Sequence, residues 1–422
     1  MLIHVTKPGE TLASIARAYT VSAARLAREN GLAEGEEPVA GQSLAILYPA
    51  RVHLVRQGDT TASIARRYGV SERQLWRCNP GLIQNGPQIG ERLIISWRQN
   101  TLGRFETTGY AYPATKRDLL LDSLPSMRYA IPFTHEVSRS GSLSALNDSA
   151  MREAVRESKS STLLSISNLR EPDGFDSEIV HAILNSEEAQ NRLITETLAL
   201  IRERGHCGVD VDFEYIPAAD RERYPAFLRR LSAALKPEGY PVYVAVAAKN
   251  ADDTTSRLTA GLDYKAIGEA VSAVLIMTYD YGYVSGPPMA VSPLPKVQET
   301  LSYAVTRIPR QKLLMGIPNY GYNWPLPFEE GKTRARSVSN EEAIALARQA
   351  GASIQYSEES QAPWFRYREN GVEHEVWFED ARSLRAKLRL AARFRLRGVE
   401  FWNLSRPFRQ GWTVLSALYR IE

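Results

Sequence analysis

Eight short apolar stretches between Thr107 and Leu404, amphipathic stretches between them, and a repeated unit in the first hundred residues together predict an α/β chain. The fold class expected is a (β/α)8 TIM barrel with a small α+β insertion between its seventh and eighth strands, preceded by two small βααβ modules. Composition and pattern place the modules at residues 1–48 and 51–97, the barrel at 104–422 and the insertion at about 335–379.

The repeat comes first along the chain. "HVTKPGETLASIARAYTVSAARLAREN" from His4 aligns with "HLVRQGDTTASIARRYGVSERQLWRCN" from His53, with about half of the positions identical. Each copy opens on a strand pattern and turns at Gly9 or Gly58. A helix follows, with Ile15, Ala16 and Tyr19, or Ile64, Ala65 and Tyr68, at helical spacing. Ser22 and Ser71 suit the cap of a second helix, and Ser71 with Gln74 spells a capping box. Asn30 and Asn79 read as helix terminators in the left-handed conformation. "GQSLAIL" and "GERLIIS" close the units as strands. The arginines of the second copy, Arg73 and Arg77 among them, read as a solvated basic face.

Both copies resemble the LysM module across their full length. The resemblance implies a self-contained carbohydrate-binding fold that reads N-acetylglucosamine in peptidoglycan or chitin. Its groove lies between the first strand–helix turn and the loop before the last strand. On this sequence the turn comprises Gly9, Glu10 and Thr11, and Gly58, Asp59 and Thr60. The same residues also suit a plain turn and helix cap.

Composition narrows the function classes. A net charge of +4 over 422 residues does not indicate nucleic acid binding. No apolar run has the length of a membrane span, and "MLIHVTKPGETL" lacks a signal-peptide core. Cys78 and Cys207 fall in different domains, so no disulfide is expected, and neither has a metal-ligand spacing. Cys207 reads as a small buried core residue.

The barrel strands are expected at "TTGYAYP", "RYAIPF", "TLLSISN", "GVDVDFE", "VYVAVAA", "AVLIMTYD", "LLMGIPNYG" and "GVEFWNL". About eighty residues separate the last two, too many for one helix and its loops. Within that interval "PWFRYRENGVEHEVWFED" reads as an antiparallel hairpin around an Asn-Gly turn.

The fourth strand carries the chemistry. Asp210, Asp212 and Glu214 alternate, so all three point to one face. A carboxyl crowded by other carboxylates is held protonated near neutral pH and can donate to a leaving oxygen. Glu214, outermost, suits the acid, with Asp212 and Asp210 behind it as a proton-sharing pair. A structural acid cluster or a hard-metal site is the alternative, although no histidine or further acid run supports a metal.

"GVDVDFE" resembles the signature strand of glycoside hydrolase family 18, with Cys207 standing where the first Asp usually is. "MTYD" resembles its sixth-strand motif and supplies Tyr279 and Asp280. "GIPNYG" resembles the seventh-strand motif and supplies Tyr320. Trp402 matches the tryptophan under the subsite where the bond breaks, and Ser165 matches the serine of the third-strand motif, whose glycines are here Ser167 and Asn168. Tyr110 at the end of the first strand is a further substrate-binding candidate. For Trp402 and Tyr320 the alternative is packing inside the barrel; for Asp280 it is a helix N-cap.

The arrangement of the whole chain resembles the spore cortex-lytic glycosidases. This implies retaining hydrolysis of β-1,4 bonds at N-acetylglucosamine in peptidoglycan, with the substrate's 2-acetamido oxygen as nucleophile. Glu214 would be acid then base, Asp212 would orient the acetamido group, Asp210 would share its proton and Tyr279 would hold the acetamido oxygen. The alternatives are a chitinase and a non-catalytic sugar-binding barrel. The expected partner is peptidoglycan or another N-acetylglucosamine polymer, with no nucleic acid, membrane, metal or organic cofactor. A monomer is expected, and the resemblance implies location in the spore cortex or coat.

Overall fold

A computed structural model of the protein describes residues 1–98, 101–170, 172 and 174–421. Its centre is a ring of eight parallel strands, one from each apolar stretch. They are β1 (Arg104–Ala111), β2 (Tyr129–Pro132), β3 (Leu164–Ser167), β4 (Val209–Asp212), β5 (Val242–Ala247), β6 (Ala273–Met277), β7 (Leu313–Pro318) and β8 (Gly398–Trp402). Helices cover the outside and side chains fill the inside, so the strands are buried on both faces and read as near-continuous apolar runs. β8 pairs with β1 and β1 with β2. The third strand is interrupted at Leu163: Ser161–Thr162 pairs with β2, and β3 proper pairs with β4, which closes the ring.

One end of the barrel is sealed by an ion pair. Glu106 accepts from Tyr243 Oη at 2.6 Å and from Arg397 Nη2 at 2.9 Å, and the same nitrogen reaches Tyr243 Oη at 2.7 Å. Above this floor Tyr129, Ile131, Leu163, Ala245, Leu275 and Leu314 fill the interior. A buried carboxylate survives there because its partners satisfy it.

The insertion is a five-stranded antiparallel sheet covered by the helix Asn340–Gln349. It takes in Gly321–Leu326 and so begins ahead of the expected residue 335. The Asn-Gly turn joins Ala362–Glu369 to Val372–Trp377, with both central residues at positive φ (Asn370 +51°, Gly371 +83°), the geometry that matches strand twist.

Both modules have the expected order: Leu2–Val5, Leu12–Ala18, Ala23–Glu29 and Ser43–Ile46, then Pro49–Leu54, Thr61–Tyr68, Glu72–Cys78 and Arg92–Trp97. The second adds a short helix, Leu82–Asn85. Two local expectations are corrected. Ser71 does cap its helix by accepting from Gln74 N, but the Gln74 side chain donates to Ile95 O instead of closing a box. The boxes form one helix earlier, between Thr11 and Ser14 and between Thr60 and Ser63. Asn30 and Asn79 do end helices, yet neither is left-handed. Each is buried, and its amide staples the helix to the last strand: Asn79 Nδ2 donates to Leu75 O and Ile94 O, and Oδ1 accepts from Ile94 N.

The modules are also packed on the barrel, so they are not free-standing. Gln410 Nε2 donates to Asn30 Oδ1 at 2.9 Å and Ser43 O at 2.7 Å. Ile354 N donates to Ala40 O, and Gly41 (φ +82°) lies so close that a Cβ would sit 1.8 Å from Ile354 O. Arg73 and Arg77 are not a solvated face: Arg73 donates to the carbonyls of Pro125 and Met127, and Arg77 to that of Pro125. Burial depresses both guanidinium pKa values to about 10.

Replacing Asn79 by Ala strands buried backbone groups, at a cost of about 1–3 kcal/mol. Asn79→Ala should therefore lower the melting temperature more than Gln74→Ala, which leaves the Ser71 cap bond in place. Equal melting temperatures would rule out the staple.

Candidate active site

Strand alternation builds the site. Val209, Val211 and Phe213 face the surrounding helices, where Phe213 stacks on Tyr224 and Phe227. Asp210 and Asp212 therefore point into the barrel. Glu214 lies just past the strand and is held by its backbone. Asn168 Oδ1 accepts from Glu214 N at 2.9 Å, and Asn168 Nδ2 donates to Glu214 O at 3.0 Å. Tyr215 then turns the chain away at φ +55°. The residue standing in place of a motif glycine thus clamps the outermost acid.

The three acids occupy different depths. Asp210 is sealed, accepts from Tyr110 Oη at 2.6 Å and is raised to about 7 by burial. Ser165 sits beside it in register on β3, bonded to Thr134 at 3.0 Å, and does not reach the cleft. Asp212 is raised well above the usual range by burial and then by Glu214, Asp210 and Glu400. Glu214, at the mouth, is pushed up to about 7 by burial and by Asp280.

Asp212 and Glu214 open onto a cleft of about 670 Å³ that is also lined by Tyr110, Tyr279, Asp280 and Trp402. Trp402 packs its edge against Phe133, ring centroids 4.8 Å apart, and tilts on Tyr110 at 5.3 Å. Asp280, at φ +56°, opens no helix, which corrects the N-cap reading; its Oδ1 accepts from Tyr320 Oη at 2.6 Å and Tyr322 Oη at 3.2 Å. Tyr320 is buried behind Asp280, outside the cleft lining. Among the described residues no three His, Cys, Asp or Glu side chains converge to hold a metal ion.

Cys207 is exposed, not buried, and lies before the start of β4, at the opposite end of the strand from Glu214. Its replacement of the usual Asp therefore leaves the cleft end of the acid row untouched.

Several lining residues carried no signal in the sequence. Leu258 and Tyr283 belong to loops, and Phe175 to a short antiparallel pair with Leu169, whose approach only the closed barrel defines. Glu400 is different: it stands two residues before Trp402 on a strand, and period-two alternation alone puts it on the same inward face.

In the modules, every singled-out turn residue has a local structural task. Gly9 and Gly58 are at φ +81° and +84°. Thr11 and Thr60 cap helices. Glu10 and Asp59 bond His4 and His53 at 2.9 and 2.8 Å, and each histidine also meets a tyrosine, Tyr19 or Tyr68. The two grooves differ. In the first module Glu37 bridges it by accepting from Leu12 N at 2.6 Å, and its loop is tied to the insertion through Glu36 and Arg348. The repeat aligns Glu37 with Gly86, so the second module has no such bridge, and Ile89 beside it is 74% exposed.

A proton held more tightly by the folded state than by the open chain makes stability fall as pH rises. Glu214 titrates near 7 in the fold against 4.5 when open, so its contribution is fully present below about 4.5 and lost by pH 8. Glu214→Gln should match the native melting temperature at pH 4 and exceed it at pH 8. A difference that does not change with pH would refute the raised pKa.

Comparison with known proteins agrees with this geometry. Residues 133–406 match the family "Glycosyl hydrolases family 18", and residues 4–46 and 53–96 match "LysM domain". The chain is 35% identical to the putative sporulation-specific glycosylase YdhD of Bacillus subtilis over the whole of both proteins. It is 39% identical to the cortical fragment-lytic enzyme of Bacillus subtilis, covering 71% of this chain and 70% of that one. The crystal structure of the Bacillus cereus spore cortex-lytic enzyme SleL superposes with a TM-score of 0.84 at 33% identity, over 100% of this chain and 98% of the other. With its acid-lined barrel and two N-terminal LysM domains, the chain belongs to glycosyl hydrolase family 18 and is a glycosidase.

Proposed function

We propose that the protein hydrolyses β-1,4 bonds at N-acetylglucosamine in spore-cortex peptidoglycan, with retention of configuration. The observation that carries this is Glu214 raised to about 7 at the mouth of a cleft whose wall also holds Asp212, Tyr279 and Trp402. An acid titrating near the working pH is suited both to give a proton and to take one back. The relatives that cover most or all of the chain are named for sporulation or cortex lysis, which favours cortex over chitin as the polymer.

In this reading Glu214 protonates the glycosidic oxygen as the bond to C1 breaks. The acetamido oxygen attacks C1 from the other face and closes an oxazoline-type ring. Asp212, beneath, holds the acetamido N–H, and Tyr279 donates to the acetamido oxygen. Glu214, now ionised, takes a proton from water as the water opens the ring, and the product is the β-anomer. Asp210, which accepts from Tyr110, shares its proton with Asp212.

Glu214→Gln should lower kcat on purified cortex fragments by at least roughly 10²-fold without loss of fold. Proton NMR of the native digest should show the β-anomer first. Near-native turnover in the variant would sink the assignment of Glu214, and initial α-anomer would sink retention. Running murein and chitin oligomers side by side separates the two polymers.

The repeats fit the task of holding the enzyme on its polymer, and the open groove of the second module is the better candidate. Ile89→Asp should weaken retention on insoluble peptidoglycan. It should leave kcat/KM on a short soluble fragment unchanged, because such a fragment engages no second site. Undiminished pull-down of the variant would exclude that groove.

A further inference from the structure

Besides Glu106 at the floor, one inward-facing carboxyl of the barrel strands has no part in the mechanism above. Glu400 on β8 is 1% exposed and lies in register with Gly316 of β7 and Thr108 of β1. Gly316 leaves room for a neighbour: a Cβ there would stand 2.7 Å from the ring of Tyr279. The tyrosine thus lies against β7, and its Oη comes within 3.4 Å of Glu400 Oε2. Glu400 Oε1 meets no donor among the described residues.

The charged and titratable groups acting on this pocket are Asp210 and Asp212 of β4, Tyr110 of β1 and Tyr279 from the end of β6. No Arg, Lys or His is among them, unlike Glu106 at the barrel floor, which has Arg397. An ionised carboxylate with one oxygen undonated would be costly here. Burial and Asp210 accordingly push the Glu400 carboxyl well above the usual range.

The protonation state decides what Tyr279 can do. A carboxylate only accepts, so it would take the single phenolic hydrogen and leave the cleft facing lone pairs. A neutral carboxyl has a hydrogen of its own to give. We propose that Glu400 is a positioning residue that donates its hydrogen to Tyr279 Oη and so directs the Tyr279 hydroxyl hydrogen at the acetamido oxygen of the bound sugar. The separation of 3.4 Å is longer than a strong O–H···O bond, and such contacts commonly tighten once substrate is bound. The inference rests on the role given to Tyr279 under Proposed function.

A double-mutant cycle with one conservative substitution tests it. Tyr279→Phe alone should lower kcat by roughly 10²-fold, the usual scale for losing one donor to a developing charge. Glu400→Leu should lower kcat by about tenfold with KM little changed, while Glu400→Gln, whose amide N–H can donate in the same direction, should stay within about threefold of native. In the Tyr279→Phe background Glu400→Leu should cost less than about twofold more, because the group it acts through is gone. A harmless Tyr279→Phe would remove the role of Tyr279 and this proposal with it. A damaging Tyr279→Phe combined with an additive or harmless Glu400→Leu would overturn the Glu400 role alone. If the Leu variant does not fold, Glu400→Gln decides: retention within about threefold supports the role, and any larger loss overturns it.

Discussion

A closed barrel of parallel strands gives alternate residues no choice but to face inward, and four of those inward residues are carboxyls: Asp210, Asp212, Glu400 and Glu106. Each must be ionised beside a cation or neutral without one. At the floor, Glu106 has Arg397 and closes the barrel as an ion pair. Toward the cleft, Asp210, Asp212 and Glu400 have hydroxyls and one another, so burial raises the pKa of each. The same side-chain type thus serves stability at one end and proton chemistry at the other, and the presence or absence of an arginine makes the difference.

Glu214 depends on that arrangement. It lies beyond the last strand residue, where a loop alone would let it wander, but Asn168 grips its peptide on both sides. Asp280 adds negative character from across the cleft while being held by two tyrosine hydroxyls. Tyr320 therefore acts on the cleft through Asp280 without lining it. These are contacts between β3, β4, β6 and the start of the insertion, so the acid is tuned by the closure of the barrel as a whole.

The two N-terminal modules illustrate how one sequence pattern can be put to different uses. Their internal architecture is the same down to the Asn staple and the His–acid bond. What differs is the loop before the last strand. Glu37 and Glu36 turn it into a bridged, docked surface in the first module, whereas Gly86 and Ile89 leave it open in the second. The first module thereby packs between the insertion, through Arg348 and Ile354, and the helix that carries Gln410.

The sequence by itself determined the eight strands, the repeat, the inward Asp210 and Asp212 with Glu214 following them, and Trp402 at the end of the eighth strand. All of these follow from periodicity or from motifs whose spacing is local. Periodicity also contains Glu400, two residues before Trp402 and on the same face of the strand. Tertiary structure decided the rest. Gln74 left its expected capping box because Ile95 O lay within reach, and Asn30 and Asn79 avoided the left-handed conformation because their amides had a strand to satisfy. Arg73 and Arg77 became docking groups, Cys207 came to the surface, and Asp280 took tyrosines in place of a helix. In each case a polar group chose among partners distant in the chain, and local spacing carries no information about which of them the fold will bring near.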